Sequence, residues 1–318
     1  MQRNIELIIN TSELTAGTRG ASLGPAAIMT AARKDNNPFF GNIPIHILPD
    51  FNHYLDRPTA TPFAKRLDGY LEVVSAVAAK TQELLGNGRF PIILAADHGS
   101  AAGTIAGIRM AQPTKRLGVV WIDAHGDLHS PYTTPSGNMH GMPLAASLAE
   151  DNKEHQRNEP DAATVTGWNA VKNMGGLQPK LQAEDLVFIA VRDTEQEEDG
   201  IIERRNIVNH TVEELRRVGV EAIIRQVEER LSDCDSIYVS FDVDSMDPQL
   251  ASFGTGTPVG NGISPEEAAE MLTLLARNPK TVCIEFVEVN PCLDNRLNAM
   301  AETAFSLLET VVNEIKSV

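Results

Sequence analysis

Apolar residues in this chain fall into short unbroken blocks separated by turn residues and amphipathic stretches. Pro91-Ile-Ile-Leu-Ala-Ala, Val119-Val-Trp-Ile and Ile237-Tyr-Val-Ser-Phe are the clearest blocks, and blocks of this length read as strands. Further strands are expected near Asn4–Ile9, Ile45–Leu48, Leu186–Val191 and Val282–Val289. The long amphipathic stretch from Phe63 to Leu85 predicts a helix that stops at Gly86-Asn-Gly88, with the next strand starting at Phe90. Thr211 with Glu214, and Ser264-Pro265-Glu-Glu267, match capping boxes that open helices after strands. A last helix is expected over Ala299–Ile315, while Glu150–Lys180, polar apart from Trp168, reads as loop with short helices.

Strand and helix signals alternate rather than segregate. That pattern favours an α/β fold, a largely parallel sheet covered by helices on both faces. No linker divides the chain, so one domain over residues 1–318 is expected. With 42% hydrophobic residues the core is ample, and a formal charge of −16 argues against nucleic acid or an anionic membrane surface as partner. That field suits a small cationic substrate. Neither a membrane-spanning run nor a signal peptide's apolar core is evident, which predicts a cytoplasmic protein. Cys234, Cys283 and Cys292 are odd in number and lack zinc-type spacing, so they read as reduced structural thiols.

Three of the apolar blocks break into metal-ligand side chains: Asp97-His98, Asp123-Ala-His125-Gly-Asp127 and Asp242-Val-Asp244. A period of two places Asp123, His125 and Asp127 on one side of an extended segment, and Asp242 and Asp244 likewise. Ligands gather outside the carboxyl ends of strands in open parallel sheets, and these groups occupy such ends. His98, Asp123, His125, Asp127, Asp242 and Asp244 are therefore the candidate ligands of a two-metal site. Asp97 reads equally well as a group that caps a turn. Four carboxylates and two imidazoles without a thiolate fit Mn²⁺ better than Zn²⁺ or Mg²⁺. Two such ions roughly 3.5–4 Å apart can share a hydroxide that hydrolyses a planar electrophile.

With these motifs in place the chain resembles the ureohydrolase family, and within it the arginases. Gly17-Thr-Arg-Gly20, Gly24-Pro25, Ser136-Gly-Asn138-Met-His140-Gly141, Ser240-Phe-Asp242-Val-Asp244-Ser-Met-Asp247-Pro248, Gly254-Thr-Gly256-Thr257-Pro258 and Glu288-Val-Asn290-Pro291 extend the match over most of the chain. The resemblance implies a three-layer αβα sandwich, two Mn²⁺ per subunit and a homo-oligomer, trimer or hexamer. It also implies a metal-bridging hydroxide that hydrolyses L-arginine to L-ornithine and urea. His98, Asp123, Asp127 and Asp242 would hold or bridge one ion, with His125 and Asp244 completing the other. Among the catalytic residues, His140 corresponds to a proton-relaying histidine, Asp127 combines ligation with proton transfer, and Glu288 clamps the guanidinium by paired hydrogen bonds.

The substrate's α-carboxylate and α-amino group separate arginine from its decarboxylated analogue. Ser136, Asn138 and Thr134 match the neutral donors that arginases aim at the carboxylate, and Glu195 and Glu198 stand where acids face the α-amino end. Thr257 is placed as an indirect partner of hydroxide or guanidinium, and Asp247 as a turn former that pairs with a basic group. Three positions depart from the family pattern. His129 replaces an asparagine that helps bind the carboxylate, Glu195 replaces a shorter aspartate, and Ala95-Ala96 replaces two glycines. The competing readings are another ureohydrolase, acting on agmatine, guanidinobutyrate, formiminoglutamate or guanidine, and a metal-stabilised regulatory protein without turnover.

Overall fold

A computed structural model describes residues 3–34 and 36–317. Eight strands form its single sheet: β1 (Asn4–Asn10), β2 (Ile45–Ile47), β3 (Arg89–Ala95), β4 (Leu117–Ile122), β5 (Leu186–Ile189), β6 (Val208–His210), β7 (Ser236–Asp242) and β8 (Thr281–Val287). Every pairing is parallel, in the order β2-β1-β3-β8-β7-β4-β5-β6. The inner strands β3, β4, β7 and β8 are buried on both faces, which is why their sequences are largely continuous apolar blocks, whereas the edge strands β2 and β6 are partly exposed. The helices are α1 (Gly24–Lys34), α2 (Leu67–Gly86), α3 (Ala101–Ala111), α4 (Pro143–Leu148), α5 (Ala162–Lys172), α6 (Gln196–Arg205), α7 (Val212–Val218), α8 (Val220–Arg230), α9 (Pro265–Arg277) and α10 (Ala299–Ser317).

Alternation along each strand splits the core in two. Ile92 and Leu94 of β3 pack with α1 and α7 to α10 on one face, while Ile93 packs with α2, α3, α4 and α6 on the other. The outcome is the αβα layering expected. A third apolar cluster, around Tyr70, Trp168 and Met139, binds α5 to the outside of α2. The α2–α3 contact is close because Gly107 has no side chain: a Cβ there would lie 2.6 Å from the Ala78 carbonyl oxygen.

Differences from the sequence expectations have local causes. Helix α2 starts at Leu67 rather than Phe63, since Arg66 takes a left-handed φ of 57°. Thr211 accepts a hydrogen bond from the Glu214 amide, but the Glu214 carboxylate turns to His210 Nδ1 (3.2 Å), so this box stays half made. Ser264 and Glu267 close theirs fully. Within the polar Glu150–Lys180 segment, Trp168 buries its ring and donates through Nε1 to Asp151 (2.8 Å), which anchors the 11-residue α5.

Candidate active site

β3, β8, β7 and β4 lie side by side at the centre of the sheet. Each delivers chemistry at or just past its carboxyl end: His98 after β3, Glu288 after β8, Asp242 and Asp244 at β7, and Asp123, His125 and Asp127 after β4. Asp127 and Glu288 both adopt positive φ, 50° and 66°, a conformation that costs about 1–3 kcal/mol at a non-glycine residue and concentrates at functional positions.

The six candidate ligands converge. His98 Nδ1 stands 3.0 Å from Asp123 Oδ2, 3.3 Å from Asp127 Oδ2 and 3.2 Å from Asp242 Oδ2. His125 Nδ1 stands 3.1 Å from Asp244 Oδ2 and 3.5 Å from Asp123 Oδ1. Among the described residues two groups able to hold a cation result, His98/Asp123/Asp127 and Asp123/His125/Asp244, with Asp123 in both and offering one carboxylate oxygen to each side; Asp242 belongs to neither and reaches the cluster through His98. His98 Nδ1 and Asp123 Oδ2 are buried, yet neither takes part in a hydrogen bond. Orphaned donor atoms of this kind call for an ion or water. These residues fit a metal pair.

The electrostatics agree. Burial pushes Asp127 and Asp242 well above the usual carboxylate range, and repulsion from Asp123, with Asp244 acting on Asp242, adds to it. Burial also raises Asp244, against the pull of His125. At Asp123 burial is outweighed by the attraction of the His125 and His98 imidazoles, which holds its carboxyl below that range. Burial opposes protonation of both imidazoles, but the surrounding aspartates raise them well above the usual histidine value. Four carboxyl groups crowd two imidazoles, and the raised carboxyls show that ionising all four is unfavourable without divalent cations to face them.

These groups floor a cleft of about 170 Å³ whose rim includes His129, Thr134, Ser136, Asn138, His140, Asp193, Glu195, Glu198 and Thr257. Thr134 Oγ1 accepts from the Gly137 amide (2.9 Å), and Ser136 Oγ from the Asn138 amide (3.2 Å), so the rim loop is braced by its own hydroxyls. Gly137, at φ 75°, lets that loop pass against the Pro62 carbonyl, where a Cβ would collide. Both ring nitrogens of His129 are engaged: Nδ1 with Thr133 Oγ1 (3.2 Å) and Nε2 with Glu195 Oε2 (2.7 Å). Glu198 caps α6 with Glu195 and accepts from the Leu128 amide (3.0 Å).

Other residues occupy supporting positions. Glu288 lies behind the cleft wall, where Oε1 accepts from the His98 amide (3.0 Å) and meets His140 Nδ1 (3.1 Å). Thr257 donates to Asp244 Oδ2 (2.9 Å), a direct contact with a ligand candidate. Asp97 accepts from the Thr15 and Ala16 amides and belongs to neither ligand group. Asp247 accepts from the amides of Gln249 and Asn261, which makes it a turn former.

Three contributors went unassigned in the sequence. Trp121 is buried in β4, and its ring stacks flat on His98, centroids 3.9 Å apart. Asp193 reaches His125 Nε2 at 3.7 Å, and Ser240 meets His98 Nε2 at 2.7 Å. Ser240 lies two residues before Asp242 on the same strand, so period-two spacing could have placed it beside the ligands.

Residues 7–313 match the family model described as Arginase family. The chain belongs to the arginase family. Among curated arginases it is 36% identical to that of Brevibacillus brevis and 33% identical to that of Bacillus subtilis (strain 168), each alignment covering 99% of both chains. The solved arginase of Bacillus caldovelox superposes with a TM-score of 0.80 at 32% identity, covering 98% of each chain. Arginase-family membership makes the protein a hydrolase acting on a C–N bond and implies a dinuclear metal site, for which the two groups sharing Asp123 are the candidates.

Proposed function

We propose that this chain is an arginase that hydrolyses L-arginine to L-ornithine and urea with two Mn²⁺ ions. The observation that carries the reading is the pair of ligand groups joined through Asp123 at the floor of a cleft whose polar rim includes Asp193, Glu195 and Glu198. His98, Asp123 and Asp127, with Asp242 beside His98, would hold one ion, and His125 and Asp244, sharing Asp123, the other. When bound, the ions supply Lewis acidity and a nucleophile at neutral pH.

The protein's own groups do the rest. Glu288, whose Oε1 is held by the His98 amide and His140, would turn its remaining oxygen to a guanidinium, which is resonance-stabilised and must be held in place to react. His140, on a loop at the cleft and paired with Glu288, is placed to hand a proton to the departing amine. Asp127 combines ligation with proton transfer. Thr134, Ser136 and Asn138 present short neutral groups to an α-carboxylate, and Glu195 and Glu198 present negative charge to an α-ammonium. The His129–Glu195 pair sets an imidazole beside a carboxylate on the rim, where the two can face the ends of an amino acid head. A homo-oligomeric assembly, trimer or hexamer, and a cytoplasmic setting belong to the same reading.

The test is urea release by Mn²⁺-loaded protein offered arginine, agmatine, guanidinobutyrate and guanidine in parallel, with a chelated control. Chelator-sensitive urea from arginine above the rest is expected. Preference for a substrate without the α-carboxylate would overturn the rim assignment while leaving the metal chemistry in place.

A further inference from the structure

Lys65 stands outside the cleft lining, at the end of the loop that leads into α2, yet it holds the rim at two points. Its backbone amide donates to the Gly137 carbonyl (2.8 Å), and its Nζ donates to Asn138 Oδ1 (3.3 Å). Among the described residues its ammonium has no carboxylate partner, so the bond to Asn138 is not a by-product of an ion pair. Asn138 in turn lines the cleft, and its Nδ2 lies over Gly17, where a Cβ would approach it to 2.8 Å. The missing side chain at Gly17 gives that amide its room at the mouth.

We infer that Lys65 is a positioning residue for substrate selection: it fixes the orientation of the Asn138 amide, and so separates substrates that carry an α-carboxylate from those that lack one. This rests on the reading of the rim as the seat of an amino acid head. A side-chain amide has an acceptor at one end and two donors at the other, on nearly the same shape. An ammonium can only donate, so Lys65 takes the oxygen end and leaves the Nδ2 hydrogens to the mouth. A carboxylate only accepts, and it needs that donor end. Without Lys65 nothing tells the two ends apart, and the amide can turn its oxygen to the cleft, where it repels a carboxylate. A substrate that lacks the carboxylate meets neither the benefit nor the penalty. The contact is made to a part of the substrate that does not react, so it acts on ground state and transition state alike and is felt in KM rather than kcat.

The experiment uses the full-length, Mn²⁺-loaded protein and compares the native chain with Lys65→Met, Asn138→Ala and the double variant Lys65→Met/Asn138→Ala. Methionine keeps an apolar stem at the position without the ammonium. L-Ornithine and putrescine, its decarboxylated counterpart, are titrated by calorimetry, and kcat and KM are measured with arginine. Lys65→Met is expected to weaken ornithine binding and raise the arginine KM by about 10-fold, the scale of one hydrogen bond to a charged group, with kcat and putrescine affinity held. The double variant is expected to lose no more than Asn138→Ala alone, because the two residues act through one contact. Native ornithine affinity in Lys65→Met, a loss shared by putrescine or by kcat, or losses that add in the double variant would overturn the inference. Native protein that binds ornithine no better than putrescine would overturn the rim reading and this inference together. Preferential ornithine binding without urea from arginine would remove the arginase reading alone, and the ornithine affinities of the variants would still decide the role of Lys65.

Discussion

His140 is subject to opposing influences on one proton. Burial alone would lower its pKa, but the hydrogen bond and charge of Glu288, with Asp127 and Asp97 behind, raise it to about 9. A histidine raised in the folded state stabilises below its unfolded pKa of about 6.5, and that contribution is lost as pH climbs through the folded value. Replacing His140 with Asn should therefore destabilise the metal-free protein by about 1.5–3 kcal/mol at acid to neutral pH, the worth of a charge-assisted hydrogen bond. The deficit should shrink above the folded pKa. Denaturant titrations across that range, in chelator, check it, and a deficit that stayed constant with pH would show that the pair is not ionic. The sequence pointed to His140 and Glu288 separately, but their contact spans 148 residues of chain and became visible only in the fold.

Among the elements, the strands were the most legible. β3, β4 and β7 are buried on both faces, so their apolar runs stand out, and the ligand residues mark their ends. The three-residue β2 was expected at Ile45–Leu48 and forms over Ile45–Ile47, whereas β6, Val208–His210, carries too little apolar pattern and was not foreseen. Helix α5 was obscured because its burial depends on Trp168 finding α2 and Asp151, contacts made by the fold rather than by local periodicity. The same limit applies to the cleft rim. That His129 would turn to Glu195 depends on two loops meeting, one after β4 and one after β5. Packing between α2 and α3 offers an element-scale test. Gly107→Ala places a methyl group against the Ala78 carbonyl of α2 and should cost about 1–3 kcal/mol in thermal or denaturant unfolding. No loss of stability would mean that the two helices can separate freely.

At the scale of the molecule, a formal charge of −16 surrounds a cleft lined by aspartates and glutamates. Among the described residues no helix is long and apolar enough to cross a membrane. Such a field draws cations toward the cleft and is screened by salt within about 8–10 Å at physiological ionic strength. For a substrate with a net positive charge, kcat/KM should fall as ionic strength rises while kcat changes little. Stopped-time assays over a salt series test this, and a flat kcat/KM would remove long-range steering from the account. The proposed arginine hydrolysis requires two ions that share Asp123. This requirement is tested most directly by titrating metal-free protein with Mn²⁺ while following bound ion and urea release in the same sample. Urea production that develops only as the second equivalent binds, and that Asp123→Asn abolishes together with tight binding of both ions, is the predicted result. Full turnover with one equivalent, or in the Asp123→Asn protein, would contradict it.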